Sequence, residues 1–506
     1  MNQEWIIYEQ NKPKVRHDLE DGRIDYIDLT SWSFMDRFFA FLISSEFFEW
    51  AGASYPTARR KHEIPVWFLI SCVIQMKLHT TAIFHNLKGI LKSGAIMTRV
   101  GGNIGLKGGG FNYKNKKPRE TPVDQDTIRK YFKDTDPDKL MAWFNQDVVG
   151  WFRRHRGFDK DGIFIWDGTI LPLPNNPNYE RAGRLPLDEE GNYINMSKLS
   201  DEERKKIKYT NCYSLTSLLH LSPSADYFLY AGCHLGPGTK SPLKAGEKLV
   251  DDFVDKFGKG VIKLLIGDRG FIDGVMTTRF KKEYKIDLMV PLRSNMAALE
   301  EARFLADMPE TKWDVYAVEK DKDGNILKRE EITAVRDITL WDNCKVPLYV
   351  ALMRRTDKNG EVEYWGLAST RFFKYPGEAF DLYHKRSQIE ERHRQLKLCW
   401  LLYAFSSPKF SLVTTHVVFV LLVYSLIQLY LKRKHLSDLA NKTITTLRSE
   451  ERLGKDAVIV YSRENFAIFD LDEYTDIIMK LEGAPRQRLR SWIKEFRKRK
   501  KQRGPP

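Results

Sequence analysis

Cysteine is scarce: five of 506 residues, at positions 72, 212, 233, 344 and 399, with no C-x-x-C pair. That spread excludes a disulfide framework and a thiolate zinc site. No charged-then-apolar leader opens the chain, because residues 1–20 are polar and mixed, so a reducing, cytosolic setting is expected. The glycine-rich stretch VGGNIGLKGGGFNYKNKKPRE lacks the Gly-Lys-Ser/Thr ending of a phosphate-binding loop and reads as a flexible basic connector, left plain or ordered by DNA. Long apolar runs are equally few. Only 410–431 is long enough to span a bilayer. His416, Gln428 and several hydroxyls inside it, with no second such span, point instead to a buried core helix.

What the chain has in excess is positive charge. Its 82 basic against 67 acidic residues give a net charge of +15. Such an imbalance favours a polyanionic partner, nucleic acid first and an anionic membrane second. Length alone allows two to four domains.

The periodicity of apolar residues divides the chain. Residues 1–115 read as a helical N-terminal region, with Arg59, Arg60, Lys61 and His62 forming a compact basic cluster. Helix continues to about 155, and at Gly162 the period changes. GIFIWDG reads as a central strand, followed by a polar, proline-rich excursion over 171–208 that fits either a DNA-contacting loop or a tolerated insertion. NCYSLTSLLHL and ADYFLYAGCHL read as strands, LKAGEKLVDDFVDKFG as a helix, VIKLLIGDRGF and KIDLMVPLR as two more strands. Three strands in meander, a helix and two further strands is the order of a ribonuclease-H-like α/β fold, an analogy of pattern. The expected core is then 116–300 and 373–432, interrupted over 301–372 by a β-rich insertion with DG and NG hairpin signals. Residues 433–506 are expected to be helical and basic. The last run, RQRLRSWIKEFRKRKKQR, is either a solvated tail or a DNA-backbone contact.

Chemistry concentrates in DLYHKRSQIEERHRQLK. Arg386, Glu390 and Lys397 lie 3, 7 and 14 residues after Tyr383. At about 100° per residue they fall within roughly 60° of one another on a helix. A carboxylate flanked by two cations and a phenol on one stripe can hold a metal ion and steady phosphates. Asp167 and Asp268 each end an apolar run, so both are expected at strand termini, where active sites of open α/β sheets collect. With Glu390 they offer hard oxygen ligands for Mg²⁺ or Mn²⁺. Two such ions about 4 Å apart activate the attacking oxygen and stabilise the leaving one in phosphoryl transfer. An aspartate before glycine is commonly a turn residue, and a charged helix face is commonly just solvated. The three together, in this order and on these elements, carry the reading.

On these residues the chain resembles the DDE transposases of bacterial cut-and-paste insertion sequences. More narrowly it is similar to the group marked Y-(2)-R-(3)-E-(6)-K, whose gaps Tyr383, Arg386, Glu390 and Lys397 match. The Asp-Gly-Thr at 167–169 and the Asp-Arg-Gly-Phe at 268–271 match its companion motifs, and the likeness covers about 120–430. The resemblance implies a ribonuclease-H-like domain with Asp167, Asp268 and Glu390 as its catalytic, metal-binding triad. It implies DNA contacts by Tyr383, Arg386, Lys397 and Arg269, and end binding by Arg59, Arg60 and Lys61. A tryptophan of the insertion (Trp313, Trp341 or Trp365) is a candidate to hold a flipped base while a hairpin end forms. Double-stranded DNA, as terminal inverted repeats and target, is the implied partner of a homodimer in the bacterial cytoplasm near the nucleoid, with no membrane. A ribonuclease-H-like structure-specific nuclease, a domesticated DNA-binding protein and a membrane protein built around 410–431 are the other readings.

Overall fold

The computed structural model describes residues 9–32, 34–58, 64–87, 90, 123–188, 191, 193–223, 227–450, 455–463, 465–483 and 487. The basic cluster at Arg59, Arg60, Lys61 and His62, the glycine-rich connector and nearly all of the basic C-terminal run lie outside them. The chain divides into two compact units, Met1–Thr135 with Lys442–Pro506, and Asp136–Asn441.

The first unit corrects the expectation of purely helical ends. Aromatic-rich segments do form helices over Phe34–Ser44, Phe47–Ser54 and Val66–Leu78. Beside them, β1 (Glu9–Gln10), β2 (Tyr26–Trp32), β13 (Lys455–Ser462) and β14 (Asn465–Asp470) form a sheet in the order β1-β14-β13-β2. β2 pairs antiparallel with β13 from Tyr26↔Tyr461 to Lys455↔Trp32. β13 and β14 form a local hairpin, but β1 and β2 find their partners at the opposite end of the chain, so no local pattern announces those pairings. Val15 and Leu19 of the Lys12–Glu20 helix and Ile477 of the Leu471–Lys480 helix cover Val458, Val460 and Phe469 on one face.

The second unit is an α/β body on one large mixed sheet. Its strands are β3 (Ile163–Pro172), β4 (Gly183–Pro186), β5 (Tyr209–Ser222), β6 (Tyr227–Pro237), β7 (Leu264–Ile266) and β8 (Asp287–Pro291). They continue as β9 (Asp314–Lys320), β10 (Ile326–Ile338), β11 (Leu348–Asp357) and β12 (Val362–Ser369). The order is β4-β5-β3-β7-β8-β12-β11-β10-β9, with β6 also beside β5. β3, β5 and β6 run as an antiparallel meander. After the Pro242–Phe257 helix the chain returns through β7 and β8, parallel to β3.

The β-rich insertion does not stand apart from the core. β12 pairs antiparallel with β8 through Leu367↔Pro291, Ala368↔Val290 and Ser369↔Met289, so the meander β9–β12 lengthens the same sheet. Its hairpins fall at the DG and NG signals. Asp321 and Asp357 cap these turns, each accepting backbone N–H groups on its Oδ1. Within the excursion, β4 pairs with the first residues of β5, and Tyr213 donates its hydroxyl to the Glu180 carbonyl at 2.6 Å.

The apolar 410–431 run lies in the helix Phe410–Arg433, and 94% of its most apolar window is buried inside the protein. Two of its polar residues settle on β6, a strand with an open side. Ser425 Oγ accepts from the Tyr230 N–H at 3.0 Å, and Gln428 Oε1 accepts from the Phe228 N–H at 3.5 Å. Gln428 Nε2 in turn donates to the Ala440 carbonyl at 2.9 Å. A membrane helix has no sheet edge to satisfy; this one covers such an edge.

Candidate active site

Parallel pairing sets the two aspartates side by side. Ile165 of β3 is opposite Ile266 of β7, the last paired positions of those strands. Asp167 and Asp268 each follow by two residues, so both project from neighbouring strands at one level. β7 stops there, but β3 stays paired with β5 as far as Pro172↔Cys212. Asp167 is therefore inside a strand on its β5 side, where sequence pattern placed it at a terminus. The segment between β7 and Asp268 has little room. A Cβ on Gly267 would meet Trp166 Nε1 at 2.1 Å, so glycine alone lets the chain pass the buried indole. Trp166 stacks on Phe271 at 4.5 Å between ring centroids, which pins the turn bearing Asp268 to the core. Asp268 Oδ1 accepts the Gly270 N–H at 2.7 Å and opens that turn.

The helix Pro376–Cys399 brings the remaining groups. Its Arg386 side chain, 7% exposed, lies among all three carboxylates. Nη2 is 3.2 Å from Asp167 Oδ1 and 3.7 Å from Asp268 Oδ2, and Nη1 is 3.4 Å from Glu390 Oε1. Glu390 reaches this point from solvent, with 69% of its side chain exposed. The planar guanidinium suits the task, because its donors diverge in one plane toward several oxygens. Without a cation between them, carboxylates this close would repel.

His393 also belongs to the site, and the sequence reading missed it. Its Nδ1 is 2.9 Å from Asp167 Oδ2, while its buried Nε2 has no partner. A signal was present, since His393 follows Arg386 by seven residues and Glu390 by three, on the same helical stripe. Asp167 is thus held at both oxygens. Burial pushes its pKa up, but the His393 hydrogen bond and charge, the Arg386 charge and the Gly168 N–H outweigh it and leave the carboxyl below its ordinary value. Asp268 goes the other way. Burial and then the neighbouring Asp167 charge raise it, against the Gly270 N–H and Arg386.

Tyr383 is half-buried one turn before Arg386, whose guanidinium lies 5.6 Å from its ring centre. Lys397 is half-buried, and burial lowers the pKa of its ammonium against the pull of Asp167. Arg269 is exposed beside Asp268, with its carbonyl accepting Arg293 Nη2 at 2.7 Å. The three tryptophans separate clearly. Trp341 is buried in the core, and Trp313 donates Nε1 to the Ala306 carbonyl at 3.3 Å beneath the Arg354 guanidinium. Trp365 instead meets the signature helix, with Tyr383 edge-on at 5.7 Å and His384 stacked at 6.1 Å. Tyr316 of β9 ties the insertion to the same helix by donating to Asp381 Oδ1 at 2.6 Å.

The profile of the transposase DDE domain family matches residues 159–426, more than half of the chain, and runs from β3 through the helix Pro376–Cys399 into the helix Phe410–Arg433. The chain belongs to the transposase DDE domain family. No curated protein matches it. DDE domains of this family are in general dependent on divalent metal ions and act on DNA, so the site must be tested against that requirement. The donors fit in kind: three carboxylates, all within 3.7 Å of one cationic group. Among the described residues no three or more His, Cys, Asp or Glu side chains close into a metal-holding group. Between Asp167, Asp268 and Glu390 stands the guanidinium of Arg386.

Proposed function

We propose that the protein is a cut-and-paste DNA transposase using Mg²⁺ or Mn²⁺, two ions in the full site, held by Asp167, Asp268 and Glu390. The carrying observation is the meeting of these three acids, from β3, the turn after β7 and the signature helix, on one cationic centre. The order β6-β5-β3-β7-β8, with β5 antiparallel and β7 and β8 parallel to β3, supports a ribonuclease-H-like core. In this reading 301–372 is its insertion, and 1–115 and 433–506 are DNA-binding flanks.

Bound metal supplies a polarised water for cutting and charge neutralisation at the leaving oxygen. The chain's own residues do the rest. His393 keeps Asp167 oriented through Oδ2. Tyr383, Arg386, Lys397 and exposed Arg269 border the acids and are the groups for the DNA phosphates. Trp365 is the tryptophan for an extruded base, because it alone of the three packs against Tyr383 and His384 beside the acids. Cutting exposes a 3′-OH, which then attacks target DNA within a homodimer that pairs two transposon ends. The working place is the bacterial cytoplasm, on nucleoid DNA.

Glu390→Gln tests the reading. The variant keeps its affinity for transposon-end DNA and loses both cutting and joining. Retained cutting rejects the triad, and cutting without joining in the wild type, with target DNA present, makes the protein a nuclease.

A further inference from the structure

The guanidinium of Arg386 takes the place that a metal ion would need. It touches Asp167 Oδ1, Asp268 and Glu390 at once, and at this spacing a divalent cation cannot share those oxygens with it without strong repulsion. The side chain is also incompletely satisfied where it lies, since its Nε is buried without a partner. Asp167, by contrast, keeps a second anchor. His393 Nδ1 holds Oδ2, so Oδ1 can be released without the carboxylate losing its orientation. Tyr383, one turn away, has its ring centre 5.6 Å from the guanidinium, and half-buried Lys397 lies about three turns further along the same stripe. A phosphate arriving there would offer the guanidinium a bidentate partner as good as the carboxylates it leaves.

From this geometry we infer that Arg386 is the resting counter-ion of the acid triad, exchanged for the metal when DNA phosphate draws it away. Metal binding and DNA binding are then coupled through one side chain. His393 is the fixed positioning residue that keeps Asp167 ready across the exchange. This rests on the metal-and-DNA reading proposed above but makes a separate demand, namely that the DNA-free protein resists metal because the arginine is in place. Linkage requires the coupling to be reciprocal, with metal tightening DNA by the factor by which DNA tightens metal.

The test is Mn²⁺ binding to the full-length chain without DNA, read from the paramagnetic resonance of free Mn²⁺. Arg386→Gln is expected to bind Mn²⁺ about tenfold tighter than wild type, within the usual range of such couplings. Adding Asp167→Asn should abolish the gain. A duplex carrying the transposon end should tighten Mn²⁺ binding to the wild type and add little to Arg386→Gln. If Arg386→Gln does not fold, Arg386→Lys carries the test. It keeps one charge but lacks the fork needed to reach three carboxylates, and it too should bind Mn²⁺ more tightly than wild type. Folded variants that bind Mn²⁺ no better than wild type overturn the inference. So does a gain that survives Asp167→Asn. A chain that cuts no DNA yet gains Mn²⁺ affinity in Arg386→Gln keeps this inference and loses the transposase reading; a chain that cuts DNA without the gain loses only the inference.

Discussion

Pro376–Cys399 and Phe410–Arg433 are helices of the same length, 24 residues, nearly adjacent in the chain, and they bury opposite kinds of surface. The second buries a mostly apolar run and settles Ser425 and Gln428 on the backbone at β6 and His416 on the Leu401 carbonyl. The first buries Arg386, Arg392, His393 and Gln395. Taking such groups out of water is costly unless each meets a partner. Asp167 serves two of them, and Arg392 lies over the Phe228 ring. One helix holds the unit together, whereas the other holds charges in place for chemistry. Substitutions in the two should therefore fail in different ways.

The largest effect is expected at Glu390. Metal stabilisation of several kcal/mol is lost in Glu390→Gln, lowering the cutting rate about a thousandfold or more. Because the side chain is 69% exposed, the melting temperature should stay within error of wild type, and a large drop would mean the glutamate is structural. Leu421, fully buried in the apolar helix, reverses the pattern. Leu421→Ala should cost about 2–5 kcal/mol in denaturant unfolding and leave the cutting rate per folded molecule unchanged.

Trp365→Ala comes next. Base stacking is worth about 1–3 kcal/mol per base, so end processing should fall between roughly fivefold and a hundredfold. Trp313→Ala should not do this, because its indole is tied to the Ala306 carbonyl and packs on Tyr364, whereas Trp365 meets Tyr383 and His384. Equal losses in both would remove Trp365 from its assigned role. The smallest effect concerns pH. The folded Asp167 carboxyl lies below its unfolded value of about 4, so its contribution to stability is present above that pH and lost as pH falls through the lower folded value. In metal-free protein, Asp167→Asn should flatten that part of the acid-unfolding profile. Asp268, raised by burial, has the opposite sign and gains stability as pH falls through its folded value.

Much of this site was readable because its parts are local. The strands bearing Asp167 and the approach to Asp268 are short apolar runs, and the signature is a spacing on one helix. The hairpins of the insertion followed from their DG and NG turns. What escaped depends on contacts between distant segments. That β12 would join β8, and β2 join β13, is decided by edges no local pattern describes. Arg386 was legible as a helix-face cation, but its placement among the acids depends on where that helix lies across the sheet, which brings it to Asp167 and Asp268. His393 sat on the right stripe, but its spacing alone does not separate it from the charged residues around it; the 2.9 Å contact with Asp167 does.

Metal-dependent cutting and joining by this acid triad is the property everything else depends on. The most direct measurement is a cleavage and strand-transfer assay with Mg²⁺ on the DNA flanking the gene, comparing wild type with Asp268→Asn. New 3′-OH ends and a joined product are expected from the wild type and neither from the variant. Cutting that persists in Asp268→Asn, or that proceeds without divalent metal, would contradict that property.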